Sequence, residues 1–108
     1  MKRICYMVTA TLPSKAVADE FVAWLEDGHV RQVVDAGAAS GVIVRLDPDP
    51  SGNPRVMTQY TFASRGEFDS YVAVHAPALR ADGLNKFPPE RGISFERRVG
   101  TIVGSLGG

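Results

Sequence analysis

The sequence lacks most of the features that point to a particular compartment or polymeric partner. It has one cysteine, Cys5, so it can form neither an internal disulfide nor a cysteine-rich zinc site. A reducing compartment, the cytoplasm, is the simplest location for such a chain. Its 12 basic and 12 acidic side chains cancel. Because a positive excess is what attracts polyanions, no nucleic-acid partner is expected.

Long apolar runs and ligand-binding motifs are also missing. No stretch approaches the roughly 18 apolar residues that a membrane-spanning helix needs, so no membrane association is expected. The apolar start is interrupted by threonines and Pro13, which argues against a signal peptide. The two histidines stand in no HxH or HExxH arrangement, and no GxGxxG, phosphate-binding loop or GxSxG motif occurs. The sequence therefore predicts neither a metal nor a cofactor.

What the chain does contain is a regular alternation of strand and helix patterns. Alternating apolar residues predict strands at residues 3–11, 41–47, 55–63 and 92–103. Apolar residues at helical spacing predict helices at residues 14–27, with a short extension at 29–36, and at 64–87. The resulting order, βαββαβ, fits a single α+β domain at residues 1–103, followed by a flexible glycine-rich tail at 104–108.

The best-defined element is the helical stretch of residues 64–87. Ser64 and Glu67 have the spacing of a capping box, which marks the start of the helix. Pro77 lacks an N–H group and disfavours helical angles at the residue before it, so a break is expected beside His75. Residues at helical spacing should face the core, namely Phe68, Val72, His75 and Leu79.

The residues around this break resemble those of a bacterial family of small ferredoxin-like proteins with a domain of unknown function. The similarity rests on His75-Ala76-Pro77-Ala78-Leu79-Arg80 with Leu84 and Lys86-Phe87, and extends to Trp24-Leu25, Gly28-His29-Val30 and Phe95-Glu96-Arg97. Gly28 departs from the polar residue expected before the histidine. The resemblance implies a ferredoxin-like fold with a four-stranded antiparallel sheet, paired into a dimeric α+β barrel without an assigned catalytic mechanism.

The arrangement of helices predicts a homodimer independently of this resemblance. Two helices can cover only one face of a four-stranded sheet. The other face would expose apolar side chains among its polar ones: Cys5, Met7, Ile43 and Met57. A second copy of the sheet is the obvious cover, so we expect homodimerisation face to face.

The two histidines are candidate site residues with different expected roles. His75 is the candidate catalytic residue, because a helix break can leave space in which an imidazole acts as a base. The alternative is a structural histidine that hydrogen-bonds a backbone carbonyl or a tyrosine hydroxyl in the core. His29 is a candidate ligand-binding residue; its alternatives are a cation that interacts with the C-terminal end of the preceding helix, or a solvated side chain.

The remaining candidate ligand-binding residues are three aromatic side chains and one arginine. Trp24, Tyr60 and Tyr71 would line an aromatic pocket, or would simply fill the core. Arg80 would meet an anionic ligand, or would pair with a carboxylate such as Asp82 or Glu67.

Two classes of function follow from these residues. By analogy with other dimeric α+β barrels, the protein would be a cofactor-independent, monooxygenase-like enzyme acting on a small aromatic or polyketide-like molecule. The alternative is a non-catalytic module for small-molecule binding or dimeric interaction. A cavity containing an accessible His75 would favour the enzyme, and a packed interior would favour the module.

Overall fold

Four strands and four helices follow one another in the predicted order. The structure, a computed structural model, describes residues 2–107, so Gly108 of the predicted tail lies outside the described residues. The strands are β1 (Ile4–Thr11), β2 (Ser40–Leu46), β3 (Arg55–Phe62) and β4 (Ser94–Thr101); the helices are α1 (Lys15–Trp24), α2 (Val30–Asp35), α3 (Arg65–Val74) and α4 (Ala76–Lys86). None of the described helices is long and apolar enough to cross a membrane.

All four strands join one antiparallel sheet in the order β2-β3-β1-β4. In the centre of the sheet, Tyr6 of β1 lies between Tyr60 of β3 and Val99 of β4. The helices pack on one face, so the predicted ferredoxin-like α+β fold is confirmed. A π-helical turn at Leu25–His29 joins α1 to α2, and a 3-10 turn at Pro89–Arg91 leads into β4.

Helices α1 and α3 begin in the same way. Ser14 and Ser64 both have extended backbone angles, and each serine hydroxyl accepts a hydrogen bond from a backbone N–H three residues later. The two bonds, from the N–H groups of Val17 and Glu67, are each 3.2 Å long. An N-cap serine satisfies one of the N–H groups that the first helical turn leaves without a partner. The predicted N-cap at Ser64 is therefore confirmed.

The core beneath the helices consists of two clusters of buried side chains. One surrounds the fully buried Phe62 and includes Ile4, Tyr6, Val33, Tyr60, Phe68, Tyr71 and Ala76. The other surrounds the fully buried Phe87 and includes Leu12, Phe21, Val22, Leu25, Val56 and Ile93. Every second residue of β3 is buried, and the same alternation in β1 is broken only at the partly buried Val8, as expected for strands with one covered face.

The other face of the sheet carries no helix. Cys5, Met7 and Met57 lie there half-exposed, as predicted. The prediction for Ile43 is wrong, because Ile43 is opposite the buried Thr58 and packs on the helix side. Its neighbour Val42, 51% exposed, points to the open face instead. Side chains alternate along a strand, so an error of one residue in the alternation exchanges the two faces.

Candidate functional site

A cavity of about 60 Å³ lies between the sheet and the helices, where the two core clusters meet. The sheet contributes Tyr6, Val8, Thr58, Tyr60, Phe95 and Arg97, and the helical side includes Trp24, His29, Tyr71, Leu79, Arg80 and Leu84. One water molecule needs roughly 10–15 Å³, so the space is large enough for a small ligand group. Three of the lining residues, Arg80, Leu84 and Arg97, are exposed, so the cavity reaches the surface beside them.

One wall of the cavity is a stacked pair formed by Trp24 and His29. Their ring centroids are 4.1 Å apart and the ring planes differ by 21°. In an α-helix, residues five positions apart point in different directions. Here the chain makes a wider π turn, in which the N–H of Val30 bonds to the carbonyl of Leu25 five residues earlier. The π turn brings the two rings together, and it depends on Gly28, whose φ of 154° suits only glycine.

The surroundings of His29 favour the neutral form of its imidazole. Its Nδ1 atom is buried and has no hydrogen-bond partner among the described residues. Burial lowers the pKa of His29, and the carboxylate of Asp82 on α4 opposes this only in part. A neutral imidazole has one unprotonated nitrogen, which can accept a hydrogen bond or a proton from a ligand.

Three tyrosines form the floor of the cavity. The Tyr6 ring lies 6.1 Å from Tyr60 and 6.3 Å from Tyr71, measured between centroids. Burial raises the pKa values of Tyr60 and Tyr71 to about 12, although Tyr60 also bonds to Thr58. At neutral pH these phenols therefore remain protonated and can donate hydrogen bonds.

Two arginines, Arg80 of α4 and Arg97 of β4, also line the cavity. Arg80 donates a 3.4 Å hydrogen bond from Nη2 to the Tyr6 hydroxyl, rather than pairing with Asp82 or Glu67. No aspartate or glutamate lines the cavity, and no cluster of three His, Cys, Asp or Glu side chains suited to a metal occurs within residues 2–107. The cavity thus combines aromatic walls with donors and positive charge.

The structure brings together all five residues that were predicted to bind a ligand: Trp24, His29, Tyr60, Tyr71 and Arg80. Ligand binding itself stays a prediction. Sequence reasoning missed Arg97, although its alternation with Phe95 and Val99 placed it on the same face of β4.

The predicted core position of His75 is wrong. His75 is exposed at the junction of α3 and α4 and does not line the cavity. Its backbone leaves the helical path at φ −110°, and the next residue, Ala76, occupies the buried place with no exposed surface. The catalytic role expected of His75 required a place in the cavity, and this position does not provide one.

The sheet, the helices on one of its faces and the cavity between them define a ferredoxin-like α+β protein with an internal pocket. The sequence profile of DUF4286, a domain of unknown function, matches residues 3–102. The chain therefore belongs to the DUF4286 family, which agrees with the resemblance described above. No match was found among curated proteins.

Solved structures with the same fold include proteins of two kinds. A dimeric ferredoxin-like protein from an uncultured marine organism superposes with a TM-score of 0.75 at 15% identity, covering 98% of this chain and 100% of the other. The monooxygenase ActVA-Orf6 of Streptomyces coelicolor, in complex with nanaomycin D, gives 0.71 at 15% identity, covering 97% and 91%. SnoaB of Streptomyces nogalater, a cofactor-independent oxygenase, gives 0.62 at 13% identity, covering 98% of both chains. Identities this low establish a shared fold alone.

Proposed function

We propose that the protein binds a small planar aromatic compound in the cavity between its sheet and helices. The observation that carries this proposal is the stacked Trp24–His29 pair, which lines the same cavity as Tyr6, Tyr60 and Tyr71. Aromatic rings pack well in the offset and edge-to-face arrangements that such walls offer, and each pair contributes about 0.5–1.5 kcal/mol beyond burial. The tyrosine hydroxyls and the neutral His29 would orient oxygen substituents of the ligand.

The binding proposal can be tested with the only tryptophan of the chain. Trp24 lies in the cavity wall, so its fluorescence should change when an aromatic ligand binds. We would screen small aromatic acids, phenols and quinols by thermal shift, and would measure affinities of hits by calorimetry and Trp24 fluorescence. His29→Ala should weaken binding about tenfold or more, because it removes half of the stacked wall. His75→Ala serves as the matched control and should leave binding unchanged.

A second candidate function is cofactor-independent oxidation of the bound compound, with His29 as the base. The neutral His29 favours it, as does the fold shared with the two Streptomyces oxygenases. For a ligand with an acidic CH₂ group in its ring, His29 would remove one proton from that group and the resulting carbanion would reduce O₂. Overall, CH₂ and O₂ would become C=O and H₂O.

Oxygen consumption separates this reaction from binding alone. The account predicts one O₂ consumed per quinone formed, with turnover lost in His29→Ala and retained in His75→Ala. Binding without oxygen uptake would leave the protein as a binding module.

We also propose that the chain forms a homodimer through the open face of the sheet. Met7, Met57 and Val42 give this face exposed apolar surface, and two of the proteins with this fold are described as dimeric. In the expected cytoplasmic environment, Cys5 on the same face would stay a free thiol.

Light scattering after size separation should give twice the chain mass of 11.6 kDa at micromolar concentration. Met57→Asp should give monomer, because it buries an unpaired carboxylate.

A further inference from the structure

We infer that the ligand of this cavity is an aromatic carboxylate, whose anionic group is held by Arg80 and Arg97. The inference rests on the proposed function, since it names the class of compound that the aromatic cavity would take. The two arginines come from different elements, α4 and β4, and line the same space.

The charged side chains that line the cavity are all positive among the described residues. Its lining contains two guanidinium groups and no carboxylate. Neither Arg80 nor Arg97 belongs to an ion pair within residues 2–107, whereas Arg98, next to Arg97 on β4, pairs with Glu96. Both arginines are exposed, so water solvates part of each guanidinium, and the carboxylate of Asp82 acts on His29 without lining the cavity. A ligand carboxylate inside the cavity would therefore find two guanidinium groups that no carboxylate of the described residues occupies.

The two guanidinium groups reach the cavity from different elements, and each keeps donors for a ligand. Arg80 uses one N–H on the Tyr6 hydroxyl through a long bond of 3.4 Å, so most of its five N–H donors remain free. Arg97 lies opposite Val8 in the ladder of β1 and β4, and its guanidinium packs over the Phe95 ring at 5.6 Å. The charges of both arginines oppose, without reversing, the rise that burial causes in the pKa of the Tyr71 hydroxyl. Arg80 thus reaches Tyr6 directly, and both arginines line the cavity that Tyr6 and Tyr71 also line.

The chemistry of arginine accounts for the choice of a carboxylate. A planar guanidinium presents parallel N–H groups whose spacing fits the two oxygens of a carboxylate. The adjacent tyrosine hydroxyls can donate further hydrogen bonds to the same oxygens. The ring attached to the carboxylate would then extend toward Trp24 and His29, which form the apolar wall of the cavity.

Matched pairs of acids and amides test the inference. Benzoate with benzamide, and 2-naphthoate with 2-naphthamide, have nearly the same shape but differ in charge. Calorimetry on the wild type should show the acid binding roughly ten- to a hundred-fold more tightly than its amide, as expected for hydrogen bonds to a charged group. Arg80→Gln and Arg97→Gln should each remove most of this preference while leaving amide binding nearly unchanged.

Arg98→Gln is the control, since Arg98 is adjacent in sequence but its side chain lies on the open face of the sheet, paired with Glu96. It should retain the full preference for the acid. Equal affinity for acid and amide, or a preference that survives both Arg80→Gln and Arg97→Gln, would overturn the inference and leave the aromatic cavity in place. If no acid or amide binds, the proposed function fails and the inference fails with it.

Discussion

The two helical halves of the molecule each contain a break beside a histidine, and the two breaks place their histidines in opposite surroundings. Between α1 and α2, the backbone kinks at Gly28, which has non-helical angles inside the π turn at Leu25–His29, and His29 stacks on Trp24. Between α3 and α4, a single residue, His75, separates the two helices at φ −110°, and Ala76 takes the buried position. One break builds a cavity wall, and the other leaves its histidine in solvent.

This difference shows that the residue causing a break decides where the neighbouring side chain points. Gly28 reaches a φ of 154°, which allows the chain to bulge and continue. Pro77 instead starts a new helix, because proline is favoured at the first positions of a helix, where its missing N–H has no partner to lose. At the first break the histidine itself lines the cavity, whereas at the second the residue after the histidine, Ala76, is the buried one.

The largest expected effect on stability comes from Phe87, whose ring packs against Trp24. Phe87 is fully buried at the end of α4, with its ring 5.1 Å from Phe21 and 5.3 Å from Trp24. Phe87→Ala should lower the free energy of unfolding by about 3–5 kcal/mol, because it leaves a cavity in the core. Phe62→Ala should cost a similar amount in the other cluster, as measured by chemical denaturation. Only Phe87→Ala should also change Trp24 fluorescence in the folded protein; equal fluorescence changes in both variants would contradict the account.

The π turn itself provides the next prediction. Gly28→Ala places a side chain at a backbone conformation that L residues rarely adopt, and should destabilise the protein by about 1–3 kcal/mol. It should also loosen the stacking of His29 on Trp24, which fluorescence would report. Gly100→Ala is the control, since a methyl group there meets no atom within 4 Å. A Gly28→Ala protein as stable as Gly100→Ala would mean that the bulge does not depend on glycine.

The smallest expected effects concern the serine N-caps with which α1 and α3 both begin. Ser14→Ala and Ser64→Ala each remove an N-cap acceptor with the same 3.2 Å geometry. Each should lower stability by about 1 kcal/mol, measured as a shift of the denaturation midpoint at constant slope. If only one variant is destabilised, the two helices do not start by the same mechanism.

The sequence was sufficient for the fold because the signals of the fold are local. The Ser64 cap and the alternation along the strands identify elements within a few residues. The face assigned to Ile43 was wrong because β2 is an edge strand, paired only with β3, so its register depends on a hairpin that its own pattern does not define.

The candidate site was less predictable from the sequence. Tyr60 and Tyr71 lie on regular apolar stripes, so their inward direction was recognisable. His75 was misplaced, because the direction of a side chain beside a break depends on how the second helix packs. Arg97 was missed as a site residue because exposed arginines on an edge strand are common, and only the cavity distinguishes this one.

The account's central claim is that the cavity beside His29, and not the surface at His75, is where a ligand binds. The chain has only these two histidines, so their imidazole signals can be followed together by NMR during a titration with 2-naphthoate. The account predicts that the His29 imidazole and the Trp24 indole signals shift together and saturate, while the His75 signal stays in place. Saturable shifts of the His75 signal with stationary His29 and Trp24 signals would contradict it.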